Sequence, residues 1–517
     1  MRSAKWLGTI VLGVGILGAA ALTASPPAQA QKAQDTLRIV WWDQLLNVNP
    51  YYNQLRSGLV VAHQAFDGLV ARDPETFAIK PLLATSWKYV DDTTLELELR
   101  KGVKFQDGSA FSADDVVYTI NSVLADNHLA VPDNYAWMNG AEKIDDYKVR
   151  IKLKHVFPAA TEYLAMVLPI LPKAYRERVG ADAYDKQPLG AGPYKITHIE
   201  GVTRIDLERF EDYYADSPKA KPAIRWLQIH EVPDVAMAQN EMIGNQADWT
   251  WNVPPDVADK LGAMPGMQSA HAETMRVNYL MFDAAGRTGA DNPMTRQKVR
   301  QAIAYAIDRN AMAKNLMQGG SRVPDAPCFP TQFGCDGAAA VRYPYDPARA
   351  KALLAEAGYP NGFSTELVSF LLPPFEGAVQ GYLGSVGIDA KMTHLQAEAA
   401  VRRNLDGTVP LYLANWGSYS VNDVSAFLPE LFSGQPEGFS AADDTHDAAL
   451  KKLVDAGGTS TNPDERRKYY SAAIKLATEQ MYVLPIMTSV QTYVARKEVN
   501  FRAYPDELPR FYLATWR

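Results

Sequence analysis

Two stretches of this sequence alternate apolar and charged residues, Thr93-Thr-Leu-Glu-Leu-Glu-Leu-Arg100 and Lys148-Val-Arg-Ile-Lys-Leu-Lys-His-Val156. Successive side chains of a strand point to opposite faces, so each stretch fits a sheet with one face packed and the other in water. Between them, an Asp107-Gly108 turn signal precedes Ser112-Ala-Asp-Asp115, a capping-box pattern that opens a helix running through Val123. Together these elements predict a small mixed subdomain over residues 72–184.

The flanking sequence predicts the body that carries it. Upstream lie a buried strand over Thr36–Trp42, a turn-rich segment and an apolar-periodic helix around Ser57–Phe66. Downstream, Gly190-Ala-Gly192-Pro193 leads into strands near Tyr194–Ile199 and Arg204–Phe210, and Pro254-Pro255 marks a loop. Val277–Asp283 reads as a strand leaving this region, followed by a helix over Thr295–Asp308 with Val299, Ile303 and Ile307 on one face. A second region alternates helices and short strands; one helix opens at Asp346-Pro347 and stops at Gly358. Strands are expected in Ser364–Leu372 and Leu411–Asn415. After a charged helix from Pro463 to about Met481, Tyr482–Met487 returns to the first body. The fold class is therefore α/β with two crossings: lobe one over 31–71, its subdomain over 72–184, lobe one again over 185–283, lobe two over 284–482, and a C-terminal return over 483–517.

Residues 1–30 read as a cleavable secretory signal: Arg2 and Lys5, an uncharged apolar run from Trp6 to about Leu22, then Ala28-Gln29-Ala30. A membrane anchor is the rival, but the run is short for a span of about 20 residues. The formal charge of −7 and the lack of a basic stretch leave little to hold nucleic acid. In an exported chain, the two cysteines, Cys328 and Cys335, read as a disulfide closing a short loop that contributes roughly 2–3 kcal/mol. A redox or metal pair lacks both C-x-x-C spacing and nearby histidines.

Four stretches carry a resemblance: Pro81–Ile120, Pro188–Ile196, Asn278–Asp283 with Thr295–Arg309, and Tyr343–Phe363. Together they resemble the peptide/dipeptide/nickel class of bacterial extracellular solute-binding proteins, family 5. The resemblance implies a two-lobed periplasmic binding protein of type II with an extra subdomain in lobe one. It also implies hinge strands at Asn278–Asp283 and Tyr482–Met487, and a small-molecule or peptide ligand in the interlobe cleft. The implied partners are the permease and ATPase of an ABC importer, and the protein would act in the periplasm as a monomer without a cofactor.

Candidate ligand contacts centre on Leu411–Leu428. Peptide-binding relatives follow a Trp here, three residues on, with an Asp that pairs with the peptide's ammonium. Trp416 matches that Trp, but the third residue on is Tyr419; Asp423, seven on, reads as a helix cap. Asn415, Trp416, Ser418, Tyr419 and Ser420 suit a neutral or sugar-like solute, or a zwitterion anchored elsewhere. Gln54 and Arg56 sit where relatives place ligand-facing residues, and Arg56 could grip a carboxylate or phosphate. Trp251 and Asn252, and Tyr135 and Trp137, are further candidates for the cleft. For each of these residues core packing or a solvated face is the competing role, and at most one of Trp41 and Trp42 can face a ligand.

An exported hydrolase is the rival class, but no G-x-S-x-G or H-E-x-x-H is present. The eight histidines stand at least 27 positions apart, giving no local metal cluster. The sequence thus predicts binding without catalysis and leaves the ligand open: peptide-like, or an oligosaccharide, opine or metal complex.

Overall fold

The structure is a computed structural model that describes residues 35–41, 47–53, 55–232, 234–317, 319–432 and 445–517. The signal segment, Trp42 and Gln54 lie outside the described residues.

A ten-stranded sheet forms the backbone of the molecule. Its strand order is Ile388–His394, Phe363–Ser369, Leu411–Trp416, Met267–Phe282, Val483–Arg496, Trp249–Trp251, Thr36–Trp41, Trp226–Glu231, Arg204–Arg209, Tyr194–Glu200. The two central strands are long, 16 and 14 residues, and pair antiparallel with each other along most of their length. One end of the pair, Met267–Glu273 against Val490–Arg496, joins the first half of the sheet through Trp249–Trp251. The other end, from Val277 to Phe282, pairs with Leu411–Trp416 in the second half. The register breaks between Glu273 and Val277, where the strands pass from one half to the other.

This shifts the crossing from its expected place. Asn278–Asp283 and Tyr482–Met487 do not bridge the halves: Leu280, Phe282, Leu484, Ile486 and Met487 are buried in one cluster with Val299, Ile303 and Ile307. Their apolar character, read as a connection, is that of strands inside the second core. The crossing itself is rich in polar residues, with His271, Glu273, Thr274 and Arg276 on one strand, and only Ala270, Ala272 and Met275 touch the cores on either side.

The alternating segments form a separate four-stranded sheet, ordered Ala84–Asp91, Thr94–Leu99, Lys148–Leu153, Met138–Asp145. Leu95, Leu97, Leu99, Val149 and Ile151 fill its buried face. On the other face Glu96 lies opposite Arg150 and accepts its Nε–H at 2.9 Å. The helix Ala113–Leu124 opens with the capping box, Ser112 accepting from the Asp114 amide and Asp115 accepting from the Ser112 amide. This sheet shares one hydrophobic cluster with the first half of the large sheet. At Gly192 an added Cβ would meet the Ala65 carbonyl carbon at 2.4 Å. Only glycine therefore lets this segment close on the end of the helix Arg56–Ala65, whose first residue faces the cavity described below. The expected helix Thr295–Asp308 is Gln297–Ala306, and a further helix, Arg309–Leu316, follows it, capped by Asp308.

Candidate functional site

A cavity of about 600 Å³ lies between the two halves. Pro50, Asn53, Arg56, Asn134 and Tyr135 line it from the first half. Tyr412, Asn415, Trp416, Glu398 and Glu430 line it from the second, with Arg276 and Tyr279 from the crossing strand between them. The approach to Arg56 is fixed by short polar side chains. Asn49 accepts from the Tyr51 amide, Asn53 accepts from the Leu55 amide, and Asp185 holds the amide groups of Asn47 and Asn49.

The electrostatics of the cavity come from the C-terminal return. Glu507 accepts from Arg276 at 2.9 Å and lies 3.3 Å from Arg56, so one carboxylate serves two guanidiniums. Burial alone would raise the Glu507 carboxyl, but Arg276 and Arg56 overcome it and hold the group down to about 2. Next to it, Asp506 is held by Arg72 and Arg510 at 3.0 and 2.6 Å, and those two arginines likewise keep it below the ordinary carboxylate range against burial. Arg276 also donates to Asn415 Oδ1 at 3.1 Å. Arg56 Nη1 is buried and makes no hydrogen bond among the described residues. Arg56, Arg276 and Glu507 together therefore leave one positive charge in excess on this side of the cavity, while Glu398 and Glu430 line it from the second half.

Of the residues singled out from sequence, Arg56, Tyr135, Asn415 and Trp416 meet in this cavity. The Tyr135 hydroxyl donates to the Val167 carbonyl and the Trp416 indole N–H to the Ala426 carbonyl, which fixes both rings. The others go elsewhere. Trp251 is fully buried against Trp41, ring centroids 5.4 Å apart, because its strand is covered on both faces. Asn252 is exposed beyond the end of that strand, with φ of 55°, its amide bonded to Thr492. Trp137 stacks on Phe157 at 5.0 Å and donates to the Asn134 carbonyl, inside the subdomain core. Ser418 is fully buried and accepts from Gln332 Nε2 at 2.7 Å. Ser420 is also buried and donates to the Asp506 carbonyl at 2.7 Å. Tyr419 lies in the turn Ser418–Ser420; its side chain, like Gln54, is outside the described residues.

Asp423 accepts from the Ser425 amide as a cap and also pairs with Arg466 at 2.8 Å, so its charge is already matched. Cys328 and Cys335 form a disulfide. Sequence reasoning missed Arg276, Tyr279, Tyr412, Glu430 and Glu507. For Arg276 a signal existed: the one charged residue in a largely apolar strand segment, Met275–Phe282. For Glu507, in Tyr-Pro-Asp-Glu-Leu-Pro, none did. Among the described residues no group of three or more His, Cys, Asp or Glu could hold a metal ion, and no helix is long and apolar enough to cross a membrane.

Two halves joined by a pair of long strands, with a largely apolar cavity carrying a few charged and amide side chains where they meet, define a two-lobed solute-binding protein. The family model for bacterial extracellular solute-binding proteins, family 5 Middle, matches residues 78–439, and the chain belongs to that family. It is of the class that binds solutes for ABC importers, and in Gram-negative bacteria such proteins are periplasmic. The chain is similar to the glutathione-binding protein GsiB of Escherichia coli K12, 28% identical over 528 residues, which covers 97% of this chain and 96% of the relative. Its fold matches HbpA2 from Haemophilus parasuis with a TM-score of 0.79 and 23% identity, over 93% of this chain and all of the other. It also matches a dipeptide-binding protein from Pseudoalteromonas sp. SM9913 in complex with Met-Leu, TM-score 0.76 and 21% identity, again over 93% and 100% of the two chains.

Proposed function

We propose that this chain captures a small peptide-like solute bearing a free carboxylate and delivers it to the permease and ATPase of an ABC importer. It would act in the periplasm after removal of residues 1–30. The observation that carries this reading is the excess positive charge at Arg56 and Arg276, with Arg56 Nη1 lacking a hydrogen-bond partner among the described residues in a cavity of about 600 Å³. A cavity of that size suits a ligand of a few residues, and a guanidinium fork pairs with a carboxylate through two strong hydrogen bonds. A buried guanidinium nitrogen without a hydrogen bond is costly even when the cation has a counter-ion, so a ligand carboxylate completes the site. On the wall from the second half, Glu430 and Glu398 supply the negative charge that a ligand ammonium needs. They do so without the Asp that Tyr419 replaces. The glutathione-binding and dipeptide-binding relatives support the same class of ligand. The two bodies of this reading are the described residues of 35–274 with 490–517, and the described residues of 277–488.

The test is calorimetry with glutathione and a panel of di- and tripeptides, each beside its C-terminal amide. We expect one molecule bound per chain, a melting temperature that rises with ligand concentration by mass action, and strong preference for the free acid. Arg56→Gln should weaken binding by about 1.5–3 kcal/mol, the worth of a hydrogen bond to a charged group. Equal affinity for acid and amide, or no binding across the panel, would overturn the reading.

A further inference from the structure

We infer that the segment Ser418–Asn422, held in place by the disulfide loop Cys328–Cys335, is a latch that locks the two lobes together once the cavity is filled. This deepens the proposed function and rests on it. The segment follows Trp416 and Gly417, which line the cavity, yet its Ser420 and Asn422 bond to the opposite lobe. Arg72 Nη1 donates to the Ser420 carbonyl while Arg72 Nη2 donates to Asp506 at 3.0 Å. Glu162 accepts from the Asn422 amide at 3.0 Å and from Arg72 at 3.1 Å. The Ser420 hydroxyl donates to the Asp506 carbonyl at 2.7 Å. From the first lobe, Phe77 also packs against the hydrophobic cluster of the second, beneath the Arg72 guanidinium. Hydrogen bonds involving ionised groups are the strong ones, and these are largely shielded from water.

The latch conformation is imposed, not intrinsic. Ser418 and Ser420 have φ of 47° and 63°, the left-handed region that residues other than glycine rarely adopt unless their surroundings hold them there. The restraint comes from the disulfide loop. Gln332 donates to the Ser418 hydroxyl at 2.7 Å and to the Val421 carbonyl at 2.8 Å. Phe333 exchanges backbone bonds with Asn422 and Val424. The cysteines close that loop, so the disulfide acts at a distance on the contact between lobes. Gln332 is a positioning residue: it does not line the cavity. A ligand resting on Trp416 and Gly417 presses on the segment one residue before the latch begins.

Breaking a latch that forms after capture speeds release and leaves association unchanged. The experiment is stopped-flow binding of glutathione, and of whichever peptides calorimetry shows to bind, to the full chain and to three variants. Glu162→Gln removes the carboxylate that receives the Asn422 amide, Gln332→Ala removes the positioning amide, and Cys328→Ser with Cys335→Ser opens the loop. We expect each to raise the dissociation rate about tenfold, as loss of a hydrogen bond to a charged group or of its support implies, with the association rate unchanged. A structural defect alone lowers the melting temperature of the free chain without this split between rates. Dissociation rates equal to those of the parent overturn the latch and leave the solute-binding reading intact. Failure of the parent chain to bind any of these ligands overturns the peptide reading and the latch with it.

Discussion

At the scale of single residues, the site is an arithmetic of charge. Arg56 was legible because its type and its place near Asn49-Pro50 pointed to a ligand; its counter-ion was not, because Glu507 lies 451 positions away and only the fold brings it near. The pairing predicts a pH dependence. Glu507 is held down to about 2 in the folded chain, against an ordinary value of about 4.3. A depressed carboxyl contributes stability that is present above its unfolded pKa and lost as pH falls through its folded one. Unfolding free energy should therefore fall from about pH 4.5 towards 2. Asp506 acts in the same direction; Glu162 and Asp423, which burial pushes up, act in the other. The difference between the parent and Glu507→Gln isolates this contribution. In urea titrations it should be largest near neutrality and shrink below about pH 4; a difference independent of pH would contradict the pairing. The tryptophans divide as cleanly. Trp251→Ala should cost about 3–5 kcal/mol of stability, as large core truncations do. Trp416→Ala should cost little stability and reduce the ligand-induced rise in melting temperature.

At the scale of elements, local chemistry was legible wherever the cause is local. The strict alternation of Thr93–Arg100 is the strand Thr94–Leu99, and Ser112 with Asp115 is a capping box whose Asp-for-Glu shortening does not prevent either bond. Ser112→Ala should cost about 1 kcal/mol in chemical denaturation, the usual worth of such a cap; no change would mean that packing alone sets this helix start. The spacing of Cys328 and Cys335 pointed to the disulfide, but not to the role of the loop it closes, because Gln332 meets Ser418 across 86 positions. The Trp251 assignment failed for a similar reason. A Trp before a Pro-Pro loop looks placed for a cleft, and only the sheet order shows that its strand lies between Thr36–Trp41 and Val483–Arg496, covered on both faces.

At the scale of the whole molecule, one sheet runs through both lobes and narrows to two strands at the polar crossing. Hydrophobic cores resist deformation, so the account places the hinge where the register of the paired strands breaks, between Glu273 and Val277. The sequence showed two crossings but misplaced them, because an apolar run marks a core and a hinge between cores is marked by its absence. The central claim is that these halves close on a solute. Small-angle X-ray scattering of the full chain, with and without a peptide ligand at an occupancy that calorimetry shows to be complete, tests it most directly. The account predicts a smaller radius of gyration in the bound chain, and superimposable curves at full occupancy would contradict it.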